Sequence, residues 1–219
     1  MKTFIIMCDG LGTRWITPEI KYKHLIPFDG IPLVFRTVQQ LQKYPCNIVL
    51  VAPEEFKDYD HYPEGVFHTS LGYREAEPRT LLDGILRTKA FWTEDTTILL
   101  GDVVFSNKAI RFLMLTHNLY PRVLGRKGSN VVTGKEASEL FSLSFNPKKD
   151  IVGAEIKVLL SRADKPNLYG KLWEYVHEYQ IVVSEVNDYT DDIDSPQAYE
   201  QFYPAMLEAV RKDDYEQIP

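Results

Sequence analysis

Residues 3–23 read TFIIMCDGLGTRWITPEIKYK, and the fold class turns on this stretch. Its bulky run Phe4, Ile5, Ile6 and Met7 has no polar alternation, which predicts a strand covered on both faces. The run breaks at once into Asp9, Gly10, Leu11, Gly12, Thr13 and Arg14, and Lys23 follows nine residues after Arg14. Two glycines free the backbone to turn tightly and bring its N–H groups close to a ligand. Arg14 and Lys23 set two fixed cations beside that turn, the surroundings a polyphosphate prefers. The stretch predicts a strand, a glycine turn and a phosphate site.

The segments around it predict an α/β chain. Residues 24–28 read as a short extended piece closed by the Asp29-Gly30 turn signal. Pro32 suits the first turn of a helix over residues 32–44, with Leu33, Val34, Val38 and Leu41 on one face. The second apolar run, IVLVA at 48–52, predicts a parallel strand, and strand, helix, strand predicts a right-handed βαβ unit. Residues 53–65 read as an irregular or short helical surface segment, 66–69 as a weak strand and 70–79 as a loop. Leu81, Leu82, Ile85 and Leu86 give helical spacing to about Phe91. A third buried strand at 98–100 runs into Gly101-Asp102, and a helix follows over 107–118 with Ile110, Leu113 and Met114 inward.

Farther on, Phe141, Leu143 and Phe145 alternate with serines, which predicts a half-exposed strand. Residues 151–163 and 168–179 predict helices, 181–186 a strand, and Ser195-Pro196 the start of a last helix. No repeat or linker interrupts the chain. Residues 1–219 are expected to form a single domain around a Rossmann-like, doubly wound, mixed but mostly parallel sheet.

Charge and cysteine content narrow the partners. Against 25 Lys and Arg stand 31 Asp and Glu, a net charge of −6 that argues against nucleic acid as the main partner. A small phosphorylated substrate needs only a local cluster of cations. Cys8 and Cys46 are too few for a disulfide framework, so a reducing cytoplasm is expected. The apolar part of the N-terminus is shorter than the ~7–15 residues of a signal-peptide core, and no run approaches the ~20 of a membrane span. A soluble protein with no membrane partner is expected; homo-oligomerisation stays open.

The glycine turn, Pro18, Lys23 and the following Leu25, Pro27, Gly30, Pro32, Leu33 and Val34 resemble the nucleotidyltransferase superfamily that makes nucleotide-sugars and related activated alcohols. That family opens with a strand, a G-x-G-T-R loop, a lysine and an L-x-P-x-x-G-x-P-L-[IV] segment. The match is close from residue 4 to 41; beyond it rests on Gly101-Asp102 and on Asp192-Ile193-Asp194-Ser195-Pro196. The resemblance implies a nucleotide-diphospho-sugar transferase type of fold. It also implies transfer of a nucleotidyl group from a nucleoside triphosphate to a sugar 1-phosphate or similar phosphorylated alcohol. It implies that Arg14 and Lys23 are catalytic, and that Met7, Cys8, Asp9, Gly10, Leu11, Gly12, Thr13, Arg79, Thr80 and Gly101 line the nucleotide with them. Asp102 and Asp194 would hold Mg²⁺, with Asp192 in support.

Residue by residue, blander alternatives stand beside these roles. Asp102 ends a buried strand, where open α/β sheets bind ligands, although a turn aspartate could also stand there. Asp191, Asp192 and Asp194 also fit a solvated acidic loop with Ser195 capping the helix. Tyr22 stands where the family has proline, and Asp9 where it has a small residue. Its glutamine-bearing base-recognition segment is missing; residues 72–82, with Arg74, Arg79 and Thr80, take that place, so neither nucleobase nor acceptor is readable. GSNVVTGK, residues 128–135, has one residue too many between its glycines for a phosphate loop. Arg126, Lys127, Lys135, Lys148 and Lys149 read as a solvated basic face, with an acceptor-phosphate ligand among them as the alternative. A glycosyltransferase of similar sheet architecture using a nucleotide-sugar, and a non-catalytic nucleotide sensor, remain the rival classes. Val103-Val104 after Asp102 does not make the D-x-D the former would use.

Overall fold

The first two apolar runs lie side by side at the centre of a sheet. The computed structural model describes residues 1–8, 22–71, 81–117, 120–136, 138–148 and 181–216. Strands β1 (Thr3–Met7), β4 (Asn47–Val51), β5 (Phe67–Thr69), β6 (Thr96–Leu100), β8 (Arg122–Arg126), β9 (Glu139–Phe145) and β10 (Val182–Glu185) form one sheet in the order β10-β8-β9-β6-β1-β4-β5. The pairs β1–β4, β1–β6, β4–β5 and β8–β10 are parallel, and only β9 runs against its neighbours. Successive strands step outward from β1 through β4 to β5, then return to the other side of β1 with β6. The crevice beyond the carboxyl ends of β1 and β6 is therefore the topological switch point, where such sheets bind ligands.

Helices cover both faces, which accounts for the unbroken apolar runs. Phe4, Ile6 and Leu50 pack with Val34, Phe35, Val38 and Leu41 of α1 (Leu33–Gln42) and with Ile110 and Leu113 of α3 (Asn107–Leu115). Ile5, Met7, Val49, Val51 and Ile98 pack on the opposite face with Ile85 of α2 (Leu81–Arg87). Burying each such side chain contributes roughly 1.5–3 kcal/mol. The third cluster joins Phe28 of the hairpin β2 (Pro27–Phe28) and β3 (Ile31–Pro32), Val104 of β7 (Val103–Val104), and Met206 and Val210 of α4 (Pro196–Glu216). Ile193, just after β11 (Asp191–Asp192), is buried in that cluster.

Some expectations shift in detail. Pro32 stays in the hairpin, so α1 begins one residue later, and the hairpin turn uses Asp29 at φ 53° and Gly30 at φ 82°. The segment ending at Phe91 closes as a 3₁₀ turn, and α3 stops at Leu115. β9 is buried on both faces rather than half-exposed, because it lies between β6 and β8, and on its polar face Ser144 meets Thr97 at 3.0 Å. β8 was not foreseen at all. Residues 151–163, 168–179 and 72–79 lie outside the described residues. Among the described residues, no helix is long and apolar enough to cross a membrane.

Candidate active site

Met7 and Leu100 pair across the ends of β1 and β6, and the Gly101 amide donates to the Met7 carbonyl at 3.0 Å. A Cβ on Gly101 would stand 2.2 Å from Cys8 Sγ and 2.8 Å from that carbonyl, so only glycine lets the two strand ends approach this closely. Met7, Cys8 and Gly101 thus share one edge. The next residue, Asp102, receives the Lys23 ammonium in a salt bridge that is largely buried.

Lys23 opens the 3₁₀ turn Lys23–Leu25, begun by the Leu25 amide donating to the Tyr22 carbonyl at 3.0 Å. Tyr22 has φ −127°, well outside what a proline ring allows, and its ring packs on Phe56 with centroids 5.1 Å apart. The departure from proline is therefore matched by the backbone and held by an aromatic contact. Burial alone would lower the Lys23 pKa, but the charges of Asp102, Asp194 and Asp192 raise it above the ordinary value. Asp102 is also buried, which favours its neutral form, yet Lys23 and His24 hold its carboxyl below the usual range. His24 itself is buried, with Nδ1 lacking a hydrogen-bond partner among the described residues, and burial pushes its pKa down to about 4.

The acids arrive from the other half of the chain. β11 pairs antiparallel with β7, placing Asp192 opposite Val103, and the Ile193 amide donates to the Asp102 carbonyl at 3.1 Å. With Ile193 anchored in the core, Asp192 and Asp194 flank it beside Asp102. Its first two acids are not solvated: Asp191 is 1% exposed and Asp192 6%, while Asp194 is half-buried. Ser195 does cap α4, accepting from the Ala198 amide at 3.1 Å.

Between β8 and β9, residues 128–135 make a hairpin loop, not a phosphate cradle. Asn130 Oδ1 accepts from the amides of Val132 at 2.8 Å and Thr133 at 3.0 Å, an Asx turn that leads to Gly134 at φ 70°. The loop delivers Lys135 to the acids. Its ammonium lies 2.6 Å from Asp192, 3.3 Å from Asp194, 3.6 Å from Glu139 and 3.8 Å from Asp191. Arg126 reaches Asp191 at 2.8 Å, with both side chains buried. The solvated basic face thus holds only for Lys127 and Lys148, whose side chains are exposed; Arg126 and Lys135 are interior cations, and Lys149 lies outside the described residues. Composition hid this, because burial of Lys135 depends on which strands flank it.

Among the described residues, five carboxyl groups (Asp102, Asp191, Asp192, Asp194, Glu139) meet three cations (Lys23, Arg126, Lys135), an excess of two acids. Burial pushes the Asp192 carboxyl well above the ordinary range, and Glu139, Asp194 and Asp102 add to this against the pull of Lys135. Burial likewise raises Glu139. Ligand atoms of Glu139, Asp192 and Asp194 lie within 4.8 Å of one another, a hard, all-oxygen donor set of the kind Mg²⁺ takes. Asp194 belongs to that group. Asp102 stands outside it, engaged by Lys23, and Glu139 is an addition that no local motif signals. Asp9, Gly10, Leu11, Gly12, Thr13, Arg14, Arg79 and Thr80 lie outside the described residues.

No family model and no curated protein matches this chain. Solved structures do. The inositol-1-phosphate CTP transferase from T. maritima is similar with TM-score 0.64 at 17% identity, covering 97% of each chain. A UTP-bound UGPase from Acinetobacter baumannii gives TM-score 0.63 at 14% identity over 100% of both chains. The CTP:phosphocholine cytidylyltransferase from Streptococcus pneumoniae gives TM-score 0.62 at 19% identity, over 93% of this chain and 97% of that one. The chain has the fold of the nucleotidyltransferase superfamily, the fold its opening motif implied.

Proposed function

We propose that this protein is a single-domain nucleotidyltransferase of the cytoplasm. It would transfer a nucleotidyl group from a nucleoside triphosphate to a sugar 1-phosphate or a similar phosphorylated alcohol. The observation that carries this reading is the meeting of the Lys23–Asp102 pair with Asp192 and Asp194 at the switch point of the sheet. An oxygen of the acceptor phosphate attacks the α-phosphorus; the new P–O bond forms there as the bond to the β-phosphate oxygen breaks, and pyrophosphate leaves with that electron pair. The acceptor is already ionised, so the reaction needs positioning and charge neutralisation more than a general base.

Lys23, held as an ammonium, gives the α-phosphate a fixed cation where negative charge grows in the transition state. Arg14 and the glycine turn hold the β- and γ-phosphates. Asp102 aims the Lys23 side chain, and His24, buried and held neutral, adds no further charge to the pair. Asp192, Asp194 and Glu139 would hold Mg²⁺, with Asp102 beside them engaged by Lys23, and the ion would supply further neutralisation of the phosphates. The similar proteins act on inositol phosphate, phosphocholine or a UDP-sugar, so the acceptor is to be found by trial. The test incubates the protein with Mg²⁺, each nucleoside triphosphate and a panel of sugar 1-phosphates, inositol phosphate and phosphocholine, and measures pyrophosphate. Release with at least one pair is expected; silence across the panel overturns the reaction.

A further inference from the structure

Lys135 stands where a cation shared by the acids would have to stand. Its ammonium is 2.6 Å from Asp192, 3.3 Å from Asp194 and 3.6 Å from Glu139. The ligand atoms of these same three carboxylates lie within 4.8 Å of one another. A divalent ion takes carboxylate oxygens at about 2.0–2.6 Å. An ion touching all three would therefore fill the space that the ammonium occupies, and the two exclude each other.

We infer that Lys135 is a built-in counter-ion that a divalent cation must displace from Asp192, Asp194 and Glu139. The inference rests on the metal-assisted reading above and names a step that precedes it. The hairpin is suited to such an exchange. Its backbone is fixed by the Asn130 turn and by Thr133 Oγ1 donating to Asp191 at 3.3 Å, while the ammonium rides on a flexible four-carbon stem that can leave without moving the loop. Charge favours the exchange too, since one positive charge is traded for two beside acids that carry a surplus. The phosphates of a bound nucleotide offer the displaced ammonium another anion, so metal and nucleotide should each tighten the other's binding.

The test uses Mn²⁺ as the probe, titrated into nucleotide-free protein and followed by electron paramagnetic resonance. Lys135→Met is expected to bind Mn²⁺ at least about tenfold more tightly than the parent, and Glu139→Gln in the same background to lose that gain. Equal or weaker binding in Lys135→Met, or no binding in either protein, overturns the inference. Should Lys135→Met fail to fold, the parent protein decides it: an amine-reactive label read by mass spectrometry should modify Lys135 several-fold faster with Mg²⁺ than without, and an unchanged rate sinks the idea. Neither readout involves nucleotide or acceptor. Absent pyrophosphate release would thus remove the proposed reaction and leave the exchange standing, and unchanged Mn²⁺ binding would do the reverse.

Discussion

The Lys23–Asp102 pair and the Lys135 cluster face the same site but balance charge in different ways. At the first, one cation meets one acid at the ends of two parallel strands, and the pair is matched. At the second, Lys135 and Arg126 meet four acids gathered from β9, β11 and the start of α4, and negative charge is left over. A matched buried pair costs most when half of it is removed, whereas an acid surplus is a standing invitation to a further cation. On the proposed reading, the first side would take phosphate and the second a cation.

The sharpest way to break this comparison is to remove the matched pair. Lys23→Ala and Asp102→Ala are each expected to slow pyrophosphate release by about 10³-fold or more, with the circular dichroism of the fold retained. Full activity in both would show that the pair is only structural. On the acidic side the expected effect is on stability instead. Arg126→Met leaves buried Asp191 without its nearer cation, with only Lys135 at 3.8 Å, and should cost about 3 kcal/mol in urea unfolding. Pairing it with Asp191→Leu should recover most of that loss, and no recovery would mean the pair is not the cause.

Next in size is the pH response of the cationic side. His24 binds a proton near 6.5 when unfolded but only near 4 when folded, so acid favours the unfolded chain. Stability from this group is full above about pH 6.5 and falls by up to about 3 kcal/mol as the pH drops toward 4. Asp192 and Glu139, held above the usual carboxylate range, gain stability on acidification and so act the other way. A comparison of urea midpoints for the parent and His24→Leu isolates the histidine; parallel curves between pH 6.5 and 4.5 would refute its part. Smaller still, Gly101→Ala forces its Cβ against Cys8 and the Met7 carbonyl and should cost about 1–3 kcal/mol by thermal unfolding.

The same contrast explains which parts of the molecule could be read in advance. On the parallel side, each strand is covered on both faces, so Phe4–Met7 and the run at 48–52 announce themselves as unbroken apolar segments. Gly101 and Asp102 then follow at a strand end. Across the site, β9 hides behind alternating serines, because Thr97 and the neighbouring strands bury a face that its composition marks as wet. β8 hides behind Arg122 and Arg126, whose charges find Ser184 and Asp191 only after the strands have paired. Asp194 could be picked from a short motif. Glu139 and Lys135 could not, since nothing near them in sequence tells that β9 and β11 will converge.

The surplus at the site has a further consequence, in how a substrate arrives. On the proposed reading, a nucleoside triphosphate would approach a protein of net charge −6 and a site with two more carboxyl groups than cations among the described residues. The long-range field opposes the encounter, the reverse of electrostatic steering, and screening weakens it with a Debye length of about 10 Å at 0.1 M salt. Association measured by stopped flow should therefore speed up as salt rises from low concentration. It should also be faster for the magnesium complex of the nucleotide than for the bare polyanion, which would deliver the divalent ion and the phosphates in a single collision.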